Sequence, residues 1–395
     1  MDKKLSVAFV WHMHQPTYKD CETGEYIMPW VRLHAIKDYL DMLVILEEFP
    51  KIKQTFNIVP LLIDQLNDYA LNDAHDTHSR LTVTEISKLT EEDRQFILNY
   101  FFDANYTNMI EPHKPYRLLY EKRYRQNNVN TSDFTDQEYS DIMAWFNLAW
   151  FDPHWIKTIP DLKKLYTKGR NYTHEDRVKI ISIQRDIIRQ IIPTYKKFLK
   201  QGKIEISTSP YYHPILPILV DYNSAKRALP DIQLPASTSG FAEDARNQLI
   251  SGIKKFKETF GVKPKGIWPS EQCISPEILN MMAELGVKWT ITDEGILAKT
   301  INKEFIRNFK GLIEDPYDIC HSYKYVSGKN SINVLFRNSV LANLIGFEYG
   351  NHEPHVAAND LYERIKTMQS TLQASPDKHH LVTIALDGEN CWESY

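Results

Sequence analysis

The chain of 395 residues has only four cysteines, Cys21, Cys273, Cys320 and Cys391, far apart and with no CxxC pair. Their scarcity excludes a disulfide framework and a zinc knuckle, and it fits a reducing cytoplasm best. Long apolar runs are also lacking, since none approaches the roughly 20 residues needed to cross a bilayer. The start, Met1-Asp2-Lys3-Lys4 and then Leu5–Val10, is too short and too quickly polar for a signal peptide, so secretion is not expected. Net charge is small as well: a formal −4 gives no general pull toward nucleic acid or anionic membrane. Internal repeats and low-complexity tracts are absent, and nothing in the sequence signals an oligomeric state.

Hydrophobic residues at 43% and charged residues at 25% are ordinary globular values. The length suits one large α/β domain or two to three smaller ones. Aromatic residues reach 12%, with 8 Trp, 22 Tyr and 17 Phe. Such rings stack on sugar faces, but more often they fill cores.

Three times a helix-like stretch ends on a glycine and yields to a short apolar run. Gly202 precedes Lys203–Ser207, Gly261 precedes Lys265–Trp268, and Gly286 precedes Val287–Thr292. A glycine just past a helix supplies the left-handed conformation that turns the chain back toward a sheet. With Leu5–Val10, Lys53–Asn57, Ile332–Phe336 and Leu381–Leu386 these make seven candidate strands, mostly separated by helices, hence a parallel α/β sheet or barrel. In such folds the chemistry sits at the carboxyl ends of the strands.

The stretch from Ala74 to Gly202 breaks this rhythm. Thr90 with Asp93, Thr135 with Glu138 and Thr173 with Asp176 have capping-box spacing, which predicts a helical insertion. Its last helix, His174–Lys200, carries an isoleucine stripe, and Pro193 is expected to kink it or end it early. Ser275-Pro276 starts another helix, serine as cap and proline in the first turn. The chain stops at Glu389–Tyr395, just past an apolar strand, where a covering element is expected to follow.

Polar residues gather at the strand ends. His12 and His14 after the first strand have the i, i+2 spacing that points both imidazoles to one face. They suit a metal, sugar hydroxyls or a satisfied core. A metal needs further His or Asp ligands, and the other clear strand ends offer Asn57, Glu271 and Asp293, which favours sugar contacts. Gln15 follows the two histidines. Tyr211, Tyr212 and His213 crowd a proline-bounded loop that is either a packed turn or a substrate wall.

Glu271 follows Trp268-Pro269-Ser270, and since Ser275 already caps the next helix, Glu271 is the candidate nucleophile. Asp293 and Glu294 are neighbours and must point to opposite sides of an extended strand. Asp293 is in phase with Ile291 and Trp289 and is the candidate general acid, with Glu294 the runner-up. A buried aspartic acid near an ionised glutamate keeps its proton at neutral pH. Two carboxylates delivered to one rim suit glycosidic bond cleavage, and retention of configuration needs them about 5–5.5 Å apart. Asp387 and Glu389, again i, i+2, suit sugar hydroxyls or a cation, while Arg337 and Asn338 add polar contacts or tie loops together.

In these positions the chain resembles glycoside hydrolase family 57. The family's five motif regions are matched in order by His12–Pro16, Gly202–Pro214, Gly266–Glu271, Trp289–Glu294 and Ala385–Glu389. The blocks Pro29–His34, Thr55–Pro60 and Trp145–Pro153 are similar to the amylopullulanase and α-amylase side of the family. The resemblance implies a (β/α)7 barrel begun by residues 1–73, interrupted by a mostly helical insertion at 74–201 and completed by 202–395, with the family's C-terminal helical domain missing.

It further implies a retaining enzyme acting on α-glucans, on α-1,4 bonds with α-1,6 bonds as a second candidate, with Glu271 the nucleophile and Asp293 the acid/base; the cytoplasmic location is expected from the cysteines. His12, His14, Gln15, Tyr212, His213, Trp268, Asp387 and Glu389 are expected to bind substrate. No metal or other cofactor is expected, nor a nucleic-acid or membrane partner. The alternatives are a 4-α-glucanotransferase or branching enzyme, a metal-dependent deacetylase or amidohydrolase using His12 and His14, and an inactive glucan-binding fragment.

Overall fold

A computed structural model describes residues 4–125, 130–235, 240–389 and 392. The chain start at Met1–Lys3, Cys391, and the chain end apart from Trp392 lie outside the described residues. Two compact units are present: residues 1–16, 51–62 and 199–391 form one, and residues 17–50, 63–198 and 392–395 the other.

Among the described residues the first unit contains eight strands: β1 (Lys4–Met13), β2 (Gln54–Ile58), β3 (Ile204–Ser207), β4 (Gly266–Ile267), β5 (Trp289–Asp293), β6 (Tyr323–Ser327), β7 (Asn330–Arg337) and β8 (His379–Asp387). Seven of them run parallel in the order β3-β2-β1-β8-β7-β5-β4. A parallel bridge from Thr208 to Ile267 brings the two ends of that row together. The result is the nearly closed (β/α)7 barrel, and all seven expected strands are in it. The eighth strand, β6, was not expected: it pairs antiparallel with β7 through a tight turn at Gly328, where φ is 56°. The dipeptide Gly328-Lys329 between two short runs is a hairpin signal.

Strand register fixes the rim. His12 lies opposite Asn57 of β2 and Asp387 of β8, Asn57 opposite Ser207 of β3, and Asp293 of β5 opposite Arg337 of β7. Side chains two apart share a face, so the inner layer repeats up each strand. Val10, Ile291, Ala385 and Trp268 form one buried cluster, with Leu335 packed against it. Two residues further on stand His12, Asp293, Asp387 and Arg337. An apolar floor thus carries a polar layer directly above it.

The ring has two thin seams. β7 meets β8 at one register pair, Arg337 with Thr383, supported by Asn338 N–H donating to Thr383 O at 2.8 Å and Arg337 Nε to Ala385 O at 2.7 Å. β3 meets β4 through Thr208 N–H to Gly266 O at 3.3 Å and Trp268 N–H to Thr208 O at 2.8 Å. Beside that second seam Trp289 lies flat on Gly266, so that a Cβ there would come within 2.1 Å of the indole. The indole is pinned by its Nε1–H bond to Glu205 at 2.8 Å.

Among the described residues of the second unit every regular element is a helix. Thr90 and Thr135 form the expected capping boxes with Asp93 and Glu138, and Thr173 exchanges backbone–side-chain bonds with Asp176. The helix His174–Lys200 does not end at Pro193 but runs through it. Ile191, Ile192, Tyr195 and Phe198, on either side of the proline, are all buried, and their packing outweighs the lost backbone bond.

At the centre of this unit Arg32 is fully buried, donating Nε and Nη2 to Asp76 and Nη1 to Asn147 and Gln184. Burial alone would raise the Asp76 carboxyl, but the Arg32 guanidinium holds it well below the usual carboxylate range.

Replacing Gly266 by alanine is expected to force Trp289 off its seat and to cost about 1–3 kcal/mol, as overpacking does. A fall in the urea midpoint is the expected result, and an unchanged midpoint would show that the seam tolerates a side chain.

Candidate active site

The polar layer opens into a cavity of about 540 Å³ lined by His12, His14, Trp268, Glu271, Gln272, Asp293, Arg337, Asp387 and Glu389. Five residues expected to bind substrate, His12, His14, Trp268, Asp387 and Glu389, therefore line one space with Glu271 and Asp293. Three others are placed differently. His213 packs on His12 and His14, Gln15 is buried, and Tyr212 is 61% exposed beside Tyr211.

Glu271 is delivered by an unusual turn. After Pro269 the chain makes one short 3-10 turn, Ser270–Gln272, in which Glu271 has φ 51° and Gln272 φ 56°. Two successive non-glycine residues in the left-handed region cost on the order of 1–2 kcal/mol each. The turn is held from β5: the Thr292 hydroxyl donates to Gln272 O at 2.7 Å and that of Thr290 to Ile267 O at 2.9 Å. Thr290 and Thr292 point away from the cavity and fix the turn, while Ile291 and Asp293 point inward. The Glu271 side chain ends exposed in the cavity.

Asp293 and Glu294 separate as alternation requires. Asp293 Oδ1 accepts the Gly295 N–H at 2.8 Å, capping the following helix, and Oδ2 faces Arg337 Nη1 at 3.3 Å. Glu294 is buried and bonded to Arg307 and Ser339. The runner-up acid is thus absent from the cavity lining. The burial expected of Asp293 is not found, because its side chain is 41% exposed. The strand stops at this residue, and the aspartate stands above the apolar floor instead of within it. Arg337 also donates Nη2 to Asn343 at 2.6 Å, so one guanidinium joins the seam, the acid and the next helix.

His12 Nδ1 lies 2.6 Å from Asn57 Oδ1. Asn57 also meets the Ser209 hydroxyl through Oδ1 at 3.0 Å and the Ser207 hydroxyl through Nδ2 at 3.1 Å. In this arrangement the His12 tautomer protonated on Nδ1 donates to Asn57 and keeps Nε2 as acceptor. Its ring stacks on Trp268 with centroids 4.6 Å apart and planes 4° apart.

His213, at φ 57°, brings its ring to 4.9 Å from His12 and 4.1 Å from His14. Burial lowers His12 to about 3, with His14 adding to the fall and the Asn57 bond opposing it. Burial likewise lowers His14 to about 4, and burial with the two neighbouring rings lowers His213 to about 2. All three are neutral imidazoles at physiological pH. Glu389, 2% exposed, accepts the His14 backbone N–H at 2.7 Å, and Gly388 allows this close turn because a Cβ there would lie 2.3 Å from Met13 Sδ.

The lining thus presents four carboxylates, one guanidinium and neutral histidines. Such a cavity repels anionic ligands and suits a neutral polyhydroxyl ligand whose reacting centre becomes cationic. Sequence reasoning passed over Gln272, since no glycine marks the left-handed turn, and it did not bring His213 onto the first-strand pair, because that contact depends on how the loop after β3 folds back.

The model of glycosyl hydrolase family 57 matches residues 8–395. The protein named alpha-amylase 1 of Dictyoglomus thermophilum is 27% identical over 106 residues, 26% of this chain and 12% of that protein. Among solved structures, the GH57-type branching enzyme from Pyrococcus horikoshii aligns with a TM-score of 0.52 at 15% identity, over 98% of this chain and 66% of that one. The alpha-amylase AmyC from Thermotoga maritima aligns with a TM-score of 0.53 at 14% identity, over 99% and 69%. The chain therefore spans about two thirds of those structures and a small part of the curated relative. At such identities the structures show the shared fold.

The three lowered histidines link stability to pH. Unfolded, each binds a proton near pH 6.5; folded, each resists it, so their stabilising contribution is complete above pH 6.5 and lost as pH falls below. The denaturant midpoint is expected to drop from pH 7 to pH 5, by up to about 1.4 kcal/mol per pH unit for each histidine. In His213→Asn, a substitution that tolerates positive φ, the drop should be shallower. Equal slopes would contradict neutral burial.

Proposed function

Since the chain belongs to glycosyl hydrolase family 57, we propose that it is a retaining enzyme of α-glucans working by double displacement through a glycosyl-enzyme. Support comes above all from one observation: Glu271 and Asp293, carried by β4 and β5, which pair in the barrel, face one polar cavity in which Arg337, the only cation among its described lining residues, meets Asp293.

In the first half-reaction a Glu271 carboxylate oxygen attacks the anomeric carbon, the glycosidic bond breaks, and Asp293 gives its proton to the leaving oxygen. A bound glucan excludes water from the cavity around Asp293. Once the leaving group departs, Asp293 as carboxylate is held by Arg337 and takes a proton from the incoming water. That water attacks the same carbon and frees Glu271. A second glucan in place of water makes the reaction a transfer, so 4-α-glucanotransferase or branching activity uses the same groups. His12 Nε2 accepts a sugar hydroxyl, and Asp387 and Glu389 take others. The Trp268 ring, covered on one face by His12, gives the sugar an apolar contact.

Asp293 stands at a strand end with Glu271 on the turn beside it, which is the arrangement that lets two carboxylates flank one bond. The free thiols Cys21, Cys273 and Cys320 accord with a cytoplasmic location. Among the described residues no helix is long and apolar enough to cross a membrane.

Turnover of maltooligosaccharides, followed by proton NMR, should release products first in the α configuration. Glu271→Gly, which suits the left-handed backbone, should lose activity by at least about a thousandfold, and azide should restore turnover with formation of the β-glycosyl azide. Product in the β configuration from the parent chain would remove the double displacement. Undiminished turnover in Glu271→Gly would remove Glu271 from the nucleophile's role.

A further inference from the structure

We propose that His12, His14 and His213 form a three-nitrogen site for a divalent transition-metal ion, of the zinc, nickel or cobalt kind, at the wall of the cavity, where the ion competes with glucan. The strand pair and the loop after β3 bring one ligand nitrogen from each ring to within 4.8 Å of the others. Tetrahedral zinc with bonds of about 2.0–2.1 Å needs such nitrogens roughly 3.3–3.4 Å apart. The rings are inclined by 24–31° to one another, and an ion lying in the plane of each ring requires them to turn out of this near-parallel packing.

Two further observations point to a cation. With its Nδ1 proton donated to the Asn57 carbonyl, His12 presents Nε2 as a lone pair, the arrangement by which an outer partner orients a metal-binding imidazole. His213 Nε2 is buried with no hydrogen-bond partner among the described residues, a loss that a metal bond removes. The donor set is nitrogen alone, which selects borderline ions over magnesium and calcium, whose preference is for oxygen. The cavity carboxylates add a favourable field without themselves closing the shell.

An ion held here takes the lone pairs of His12 and His14 away from sugar hydroxyls. That competition rests on the function proposed above, whereas binding of the ion does not. The site gives the chain a metal-dependent brake on turnover, distinct from any need for metal in the chemistry.

Chelator-stripped protein titrated calorimetrically with zinc or nickel chloride should bind one ion per chain, and magnesium chloride should give no heat of binding. His213→Asn and His14→Asn should each weaken that binding at least about tenfold, while His321→Asn, altering a separate histidine beside Asp377 and His380, should leave it intact. Circular dichroism of each variant confirms that it is folded, and the two triad variants serve as checks on each other. Zinc should raise the apparent KM for maltooligosaccharide and leave kcat unchanged. Absence of one-to-one binding, or binding lost in His321→Asn and kept in folded His213→Asn, overturns the assignment. A chain that binds zinc but shows no glucan turnover keeps the metal site and refutes the proposed enzyme instead.

Discussion

Side-chain alternation in strands of matched register is the constraint on which the rest of this molecule depends. Because every second residue faces inward, the apolar floor of Val10, Ile291, Leu335 and Ala385 dictates that His12, Asp293, Arg337 and Asp387 emerge on the same side two residues later. A one-residue slip in any strand would replace its functional group by an outward neighbour, Glu294 for Asp293 being the plainest case. The apolar layer is therefore both the core of the barrel and the device that aims its chemistry.

Two costs are accepted at this rim. Glu271 and Gln272 stand in left-handed backbone that neither residue prefers, and the Thr292 hydroxyl of β5 holds the turn through the Gln272 carbonyl. Three imidazoles are packed together, His12 buried and the other two partly so, with the Nε2 of His213 unsatisfied among the described residues. Local rules are broken together at this one place, where stability alone would favour glycine in the turn and an apolar side chain under it. Arg337 is the compensating element. It closes the seam between β7 and β8 through Ala385 while its guanidinium faces the partly exposed Asp293.

Much of this was legible in the sequence because it follows from period and punctuation. The glycines at 202, 261 and 286 have the positive φ expected of them, and the seven strands they announce are all present. Phase along β5 placed Asp293 inward and Glu294 away. What escaped depends on contacts distant in the chain. The approach of His213 to His12 is set by the loop after β3, and the left-handed pair at Glu271 has no glycine to betray it. Pro193 lies within a helix because tertiary burial outweighs local preference, and the burial expected at Asp293 failed because its strand ends above the floor. The hairpin β6 could have been found from Gly328 but was masked by the helix and strand rhythm around it.

The division of roles between Glu271 and Asp293 is the centre of this account, and covalent trapping tests it most directly. Incubation with 5-fluoro-α-glucosyl fluoride, which forms its glycosyl-enzyme faster than water releases it, should add one fluoroglucosyl mass per chain, on the peptide containing Glu271 and through its side chain. An adduct on Asp293, Asp387 or Glu389, or turnover of the reagent with no adduct at Glu271, would contradict it.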